Sequence, residues 1–135
     1  MINTKSNRKI AYRLTRGQDL KLFLLNLNAN CFNIKAGVIL SAVGSLEKAV
    51  IRTASGKIKK INKSLEIVSI TGTLSQDGNH IHISVADKRG KVYGGHLWEG
   101  CIIDTTCELI LQVIDDMEFH REYDPNTGYD ELVIQ

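Results

Sequence analysis

Nowhere in the 135 residues does an apolar run approach the roughly 18 needed to cross a bilayer, and the N-terminus shows no charged, apolar and small-residue progression. A membrane span and a secretory leader are therefore not expected, and the chain is expected to stay in the cytoplasm. Cysteine is scarce. Cys31, Cys101 and Cys107 are odd in number and lack the close pairs of a zinc ribbon, so a disulfide framework is excluded and the three read as reduced and mostly buried. No neighbour offers any of them a base. A large excess of one charge is missing too: a net charge of +2, with 24% charged and 43% hydrophobic residues, excludes a polybasic nucleic-acid binder and a disordered tail. No internal repeat or low-complexity segment occurs, and the length leaves no room for a second domain.

What is present is mostly strand. Residues 1–7 are polar and expected to fray, which leaves one domain over 8–135. Arg8 to Leu14 alternates, with Ile10, Tyr12 and Leu14 on one face. Asp19 is placed to cap a helix whose Leu20, Phe23, Leu24 and Leu27 fall on one apolar face, ending near Asn28 to Asn33. Ala36 to Val43 reads as a strand, Gly44 to Leu46 as a turn, and Val50 to Arg52 as a second strand. Leu65 to Leu74 is a long strand. In Cys101 to Ile114 the apolar residues Cys101, Ile103, Cys107, Leu109, Leu111 and Val113 share one parity. The tail turns at Pro125 to Gly128, and its apolar end, Leu132 to Ile134, is expected to return to the sheet. The expected fold is α+β, one main helix packed on a mostly antiparallel, strongly bent sheet.

Function concentrates in Asn79 to Leu97, which holds three of the four histidines. Ile81, Ile83 and Val85 alternate with His80, His82 and Ser84, the pattern of a half-buried strand. Lys88, Arg89 and Gly90 fit a three-residue hairpin loop whose last position is left-handed, where Gly costs least. Pairing Asp87 with Lys91 then sets His82 opposite His96, with His80 a diagonal neighbour. Opposed Cβ atoms lie roughly 5 Å apart and diagonal ones about 7 to 8 Å, close enough for three imidazoles to converge on one divalent ion, zinc first among them. A two-residue loop would instead pair His96 with Ile81 and send it to the other face. Gly94 and Gly95 invite a bulge or a close backbone approach. Without an ion, the three are ordinary solvated histidines.

A catalytic site would need more than a metal. Glu66, an acid on an otherwise apolar strand, and Arg52, at the end of another, are the candidates for proton transfer and for holding an anion. The alternative is that the two pair structurally, within or between subunits. Lys57, Lys59, Lys60 and Lys63 form a run without an acid, which reads as a solvated hairpin or as a contact for phosphate. His120, among Glu118, Arg121 and Glu122, reads as solvated.

The order RLTRGQDL, AVGSLEKAVIR, LEIVSITGTLS and HIHISVADKRGKVYGGHLWEGCIIDTTCEL resembles the plants and prokaryotes conserved (PPC) domain from Arg13 to Leu109. The resemblance implies a homotrimer whose histidines hold a divalent ion near a subunit boundary. In plant members the domain is joined to AT-hook segments that bind DNA; no Arg-Gly-Arg-Pro core occurs in this sequence. DNA or DNA-bound proteins are thus possible partners by analogy alone. The His-x-His pair followed by a third histidine is also similar, more distantly, to the zinc site of acetolactate decarboxylase. That similarity implies a small lyase or hydrolase acting on a carbonyl or ester as the alternative function.

Overall fold

A computed structural model describes residues 8–27 and 33–135. In chain order the elements are β1 (Arg8–Thr15), α1 (Leu20–Leu25), β2 (Ala36–Arg52), β3 (Ile58–Ile61), β4 (Leu65–Ser75), β5 (His80–Ala86), β6 (Val92–Leu97), β7 (Ile102–Val113), β8 (Phe119–Asp124) and β9 (Tyr129–Ile134). Cys31 and residues 1–7, with the fraying expected of them, lie outside the described residues.

The parity read in β7 is what builds the sheet. Cys107, Leu109, Leu111 and Val113 are buried, while β1 and β2 pair antiparallel on either side. Beyond β2 follow β4, β5 and β6, and β6 returns to β2 through Ile51↔Leu97 and Arg52↔His96. Strands β2, β4, β5 and β6 therefore form a closed circuit, with β7 and β1 continuing as a flange. The circuit and its flange share one core, which holds Leu14, Leu46, Val85, Ile103, Leu109 and Leu111, all essentially fully buried. Each such side chain contributes about 1.5–3 kcal/mol. The free thiols of Cys101 and Cys107 belong to this core, and burial pushes Cys107 up to about 11. Both are therefore protonated and inert at neutral pH, as expected of buried cysteines.

Four expectations are corrected. The fold is not α+β: 63% of the described residues are strand and 5% helix. The cap is where the sequence places it, with Asp19 accepting from the Leu22 N–H, but α1 stops after six residues at Asn26, whose N–H bonds back to Leu22 and Phe23. Leu27 is nonetheless buried, so a turn residue fills the last apolar position and the periodicity overstated the helix. Asn side chains compete for backbone hydrogen bonds and favour such a stop.

Gly44 to Leu46 is not a turn either. It lies inside the 17-residue β2, at a register shift against β7, where a Cβ on Gly44 would collide with Thr106 and Cys107. The glycine permits close strand approach rather than reversal. Finally, the tail does not rejoin the main sheet. Strands β8 and β9 pair with each other as a separate two-stranded sheet.

Candidate metal centre and adjoining cleft

The hairpin of β5 and β6 has the register expected of a three-residue loop. The Asp87 N–H bonds to Lys91 O at 2.9 Å, Gly90 adopts φ +80, and His82 pairs with His96. The Asp87 carboxylate locks the loop by accepting from the Arg89 and Lys91 N–H groups. No bulge forms at Gly94 or Gly95. Gly95 instead lies against the end of β2, where an added Cβ would sit 2.6 Å from the Arg52 carbonyl oxygen. The glycine is what lets β6 reach β2.

Because Ile81, Ile83 and Val85 are buried, His80 and His82 stand on the opposite face of β5, beside Thr73 and Thr71 of β4. The rings of His82 and His96 meet edge to face at 4.4 Å, while those of His80 and His96 stack at 5.4 Å. One nitrogen from each of the three lies within 4.8 Å of the others. Tetrahedral bonds of 2.0–2.1 Å would need nitrogens about 3.3 Å apart, so the rings would have to draw closer around an ion. Burial, then His82 and Arg121, pull His80 below the ordinary histidine range; burial and then Arg52 do the same to His96. Neutral imidazole is the ligating form, so this donor set fits a borderline divalent ion such as zinc.

The candidate catalytic pair is not brought together. Arg52 pairs with His96, and its half-buried side chain lines a cleft of about 590 Å³ that also touches His80 and His96. Glu66 is exposed and pairs with Ala86, four residues along β5 from His82, or roughly 13 Å at about 3.3 Å per residue. Among the described residues no Arg52–Glu66 ion pair forms. The opposite wall of the cleft comes from the tail hairpin, with Arg121, Tyr129 and Glu131. Arg121 NH2 donates to Thr73 Oγ1 at 2.8 Å, and its backbone N–H donates to Asp77. His120, expected to be solvated, is bound to Asp77 and Glu118 at 3.1 and 3.4 Å, and these acids raise its pKa. The sequence contains no pattern that announces this wall. The lysine run is exposed as expected, and Lys59, Lys63 and Lys91 gather within 4.7–5.3 Å of the Tyr93 ring centre.

The profile of the Plants and Prokaryotes Conserved (PCC) domain matches residues 1–115, so β8 and β9 lie past its end. Two curated relatives, each called bifunctional protein GlmU and both from Synechococcus strains, are 47% and 44% identical over 124 and 133 residues. The alignments take in 91% and 98% of this chain but 20% and 21% of theirs, so it spans about a fifth of their length. Among solved structures, a hypothetical protein from Salmonella superposes with a TM-score of 0.92 at 32% identity, covering 98% of this chain and 96% of its own. A metal-containing protein from Archaeoglobus fulgidus gives 0.78 at 29%, covering 93% of each. At lower identity the fold alone is shared. A PPC protein from Pyrococcus horikoshii is 23% identical (TM-score 0.76, 96% of each chain), and a candidate DNA-binding protein from Bacteroides thetaiotaomicron 19% (0.79, 95% and 96%). A Staphylococcus aureus protein similar to alpha-acetolactate decarboxylase is 16% identical, with a TM-score of 0.51 over 76% of this chain and 51% of its own. No helix among the described residues is long and apolar enough to cross a membrane.

Proposed function

Because the chain belongs to the Plants and Prokaryotes Conserved domain family, we propose that it is an assembly module of that family, homotrimeric and holding a divalent ion on His80, His82 and His96. The observation that carries the reading is the convergence of the three imidazoles from both strands of one hairpin. The metal-containing Archaeoglobus relative supports it, and relatives in which the similar segment is a fifth of a longer chain suit a module. Support for self-association comes from Leu40, Val43, Val68 and Ile110, apolar side chains left exposed on the adjacent strands β2, β4 and β7. Elemental analysis of protein purified without chelator or histidine tag, with the mass of the assembly measured on the same sample, tests both parts. About one zinc, iron or manganese per chain in a trimer, lost in His82→Ala, is expected; a metal-free wild type ends the metal reading.

The cleft against His80 and His96 favours a second reading, a small metal-dependent lyase or hydrolase. A bound zinc with three protein ligands leaves a position at which a carbonyl is polarised or water ionised. Arg52, which lines the cleft, would orient an anionic substrate there, whereas a role for Glu66 would need the proton to travel to it or a second subunit to bring it. For DNA, Lys57 to Lys63 is the surface to test: binding that falls steeply with salt and vanishes when the lysines are replaced would make the contact direct.

A further inference from the structure

We propose that the cleft between the histidine face and the C-terminal hairpin binds a small hydroxy acid, its carboxylate held by Arg52 and Arg121 and its hydroxyl by Glu131. Arg52 is half-buried, lines the cleft and has no carboxylate partner among the described residues. A guanidinium so placed favours an anion, and its planar fork suits a carboxylate. Arg121 stands across the cleft with one N–H committed to Thr73, which leaves further donors for a ligand. Arg52, Arg121 and Glu131 line the same cleft as His80. The volume, about 590 Å³, falls within the range of pockets that hold small organic ligands.

The charge balance points the same way, and here the proposal rests on the histidines being a metal centre. Three neutral imidazoles leave a divalent ion its full charge, beside two guanidinium groups. Asp77, which also lines the cleft, is already engaged by His120 and by the Arg121 backbone. That leaves Glu131 and Asp130 as the acids of this wall, too few to balance the site unless the occupant is an anion. Glu131 accepts from the Thr127 hydroxyl, which fixes one of its oxygens and leaves the other to take a ligand O–H. Two of the three proposed contacts come from β9 and β8, beyond the residues that match the family, so this wall sets which acid is taken.

Titration calorimetry of the full chain with L-malate tests the proposal, with succinate and inorganic phosphate as comparison probes and metal content measured on every sample. Saturable malate binding is expected, weakened about tenfold or more in Arg52→Gln and in Arg121→Gln while the metal stays at the wild-type level. Succinate, which lacks the hydroxyl, should bind more weakly than malate, and that difference should disappear in Glu131→Gln. Thr73→Val loosens the hairpin yet keeps the guanidinium; if it costs as much affinity as Arg121→Gln, the arginine acts only through structure and the assignment falls. Equal binding of phosphate, or no malate binding by metal-loaded protein, overturns the ligand class and spares the metal centre. Arginine-dependent malate binding by a wild type that holds no metal does the reverse.

Discussion

Arg121 of β8 reaches back 48 residues to Thr73 of β4, and Thr73 is the residue paired with His80. This one hydrogen bond ties the separate tail sheet to the strand that backs the histidine face. The cleft therefore has a wall whose position depends on few contacts.

Removing that tie should loosen the tail without unfolding the domain. In Thr73→Val, amide exchange in β8 and β9 should speed up by the equivalent of about 1.5–3 kcal/mol, the usual contribution of a hydrogen bond to a charged group, while exchange in β7 stays as in wild type. Equal acceleration in both would show that the two sheets open as one unit.

The same wall should be sensitive to pH through His120. Asp77 and Glu118 raise its pKa above 6.5, so folding is linked to proton uptake. The stabilisation is complete below 6.5 and is lost as pH rises through the higher folded value. Glu118 is shifted the other way, below 4.5, chiefly by the His120 and Lys35 hydrogen bonds, so its share is present above 4.5 and lost as pH falls through the lower folded value. The hairpin should be held best between those limits. Protection of the Arg121 and Glu131 amides, corrected for the base-catalysed intrinsic rate, should fall above that window, and this fall should be absent in His120→Gln.

Gly95→Ala should damage the metal centre from a distance. Its Cβ would sit 2.6 Å from the Arg52 carbonyl oxygen, a backbone atom that no rotamer change can move. Strand β6 would separate from β2, taking His96 with it. A loss of about 2–3 kcal/mol in urea unfolding, in the range of overpacked sites, is expected together with weakened zinc retention. Gly90→Ala, at an open turn position where nothing lies within 4 Å of the added carbon, should cost only backbone strain, about 1–2 kcal/mol, and keep the metal.

Zinc should also stabilise the folded chain by mass action. At about a thousandfold excess over its dissociation constant the gain is roughly 4 kcal/mol, which a thermal melt reads directly. In His80→Ala the zinc-dependent shift should largely vanish while the metal-free melting temperature changes little, because His80 is exposed. A His80→Ala protein with the full zinc shift would show that the ion binds elsewhere.

What could be read in advance and what could not divides by range. The histidine register followed from Gly90 and from strict alternation in β5, both settled within a few residues, so the local signal sufficed. The length of α1 was misjudged because burial of Leu27 from a turn looks, in sequence, the same as burial from a helix. The glycine at 44 was read as a turn because close approach to β7 and chain reversal use the same residue. Arg52 could be placed beside His96 only once β6 had closed onto β2, and no periodicity encodes the hydrogen bonds of Arg121 to Thr73 and Asp77 or the contact of His120 with Asp77. Glu66 looked buried because Val68 and Ile70 share its parity, but Val68 is exposed, and the register shift between Ile67 and Ser69 turns Ile70 inward while Glu66 stays on the outer face.

The closed circuit through β2 bears on the order of assembly. Its flange joins Arg8 to Val113, and its seam joins Arg52 to His96, so the sheet cannot close until nearly the whole chain has been made. Pairings so distant in sequence fold slowly. The β5–β6 hairpin is the exception, since its loop brings His82 to His96 by contacts among neighbours, on the microsecond scale of hairpins. The three histidines can therefore meet before Arg52 arrives, and the barrel closes afterwards behind them, on the face of β5 that carries Ile81, Ile83 and Val85.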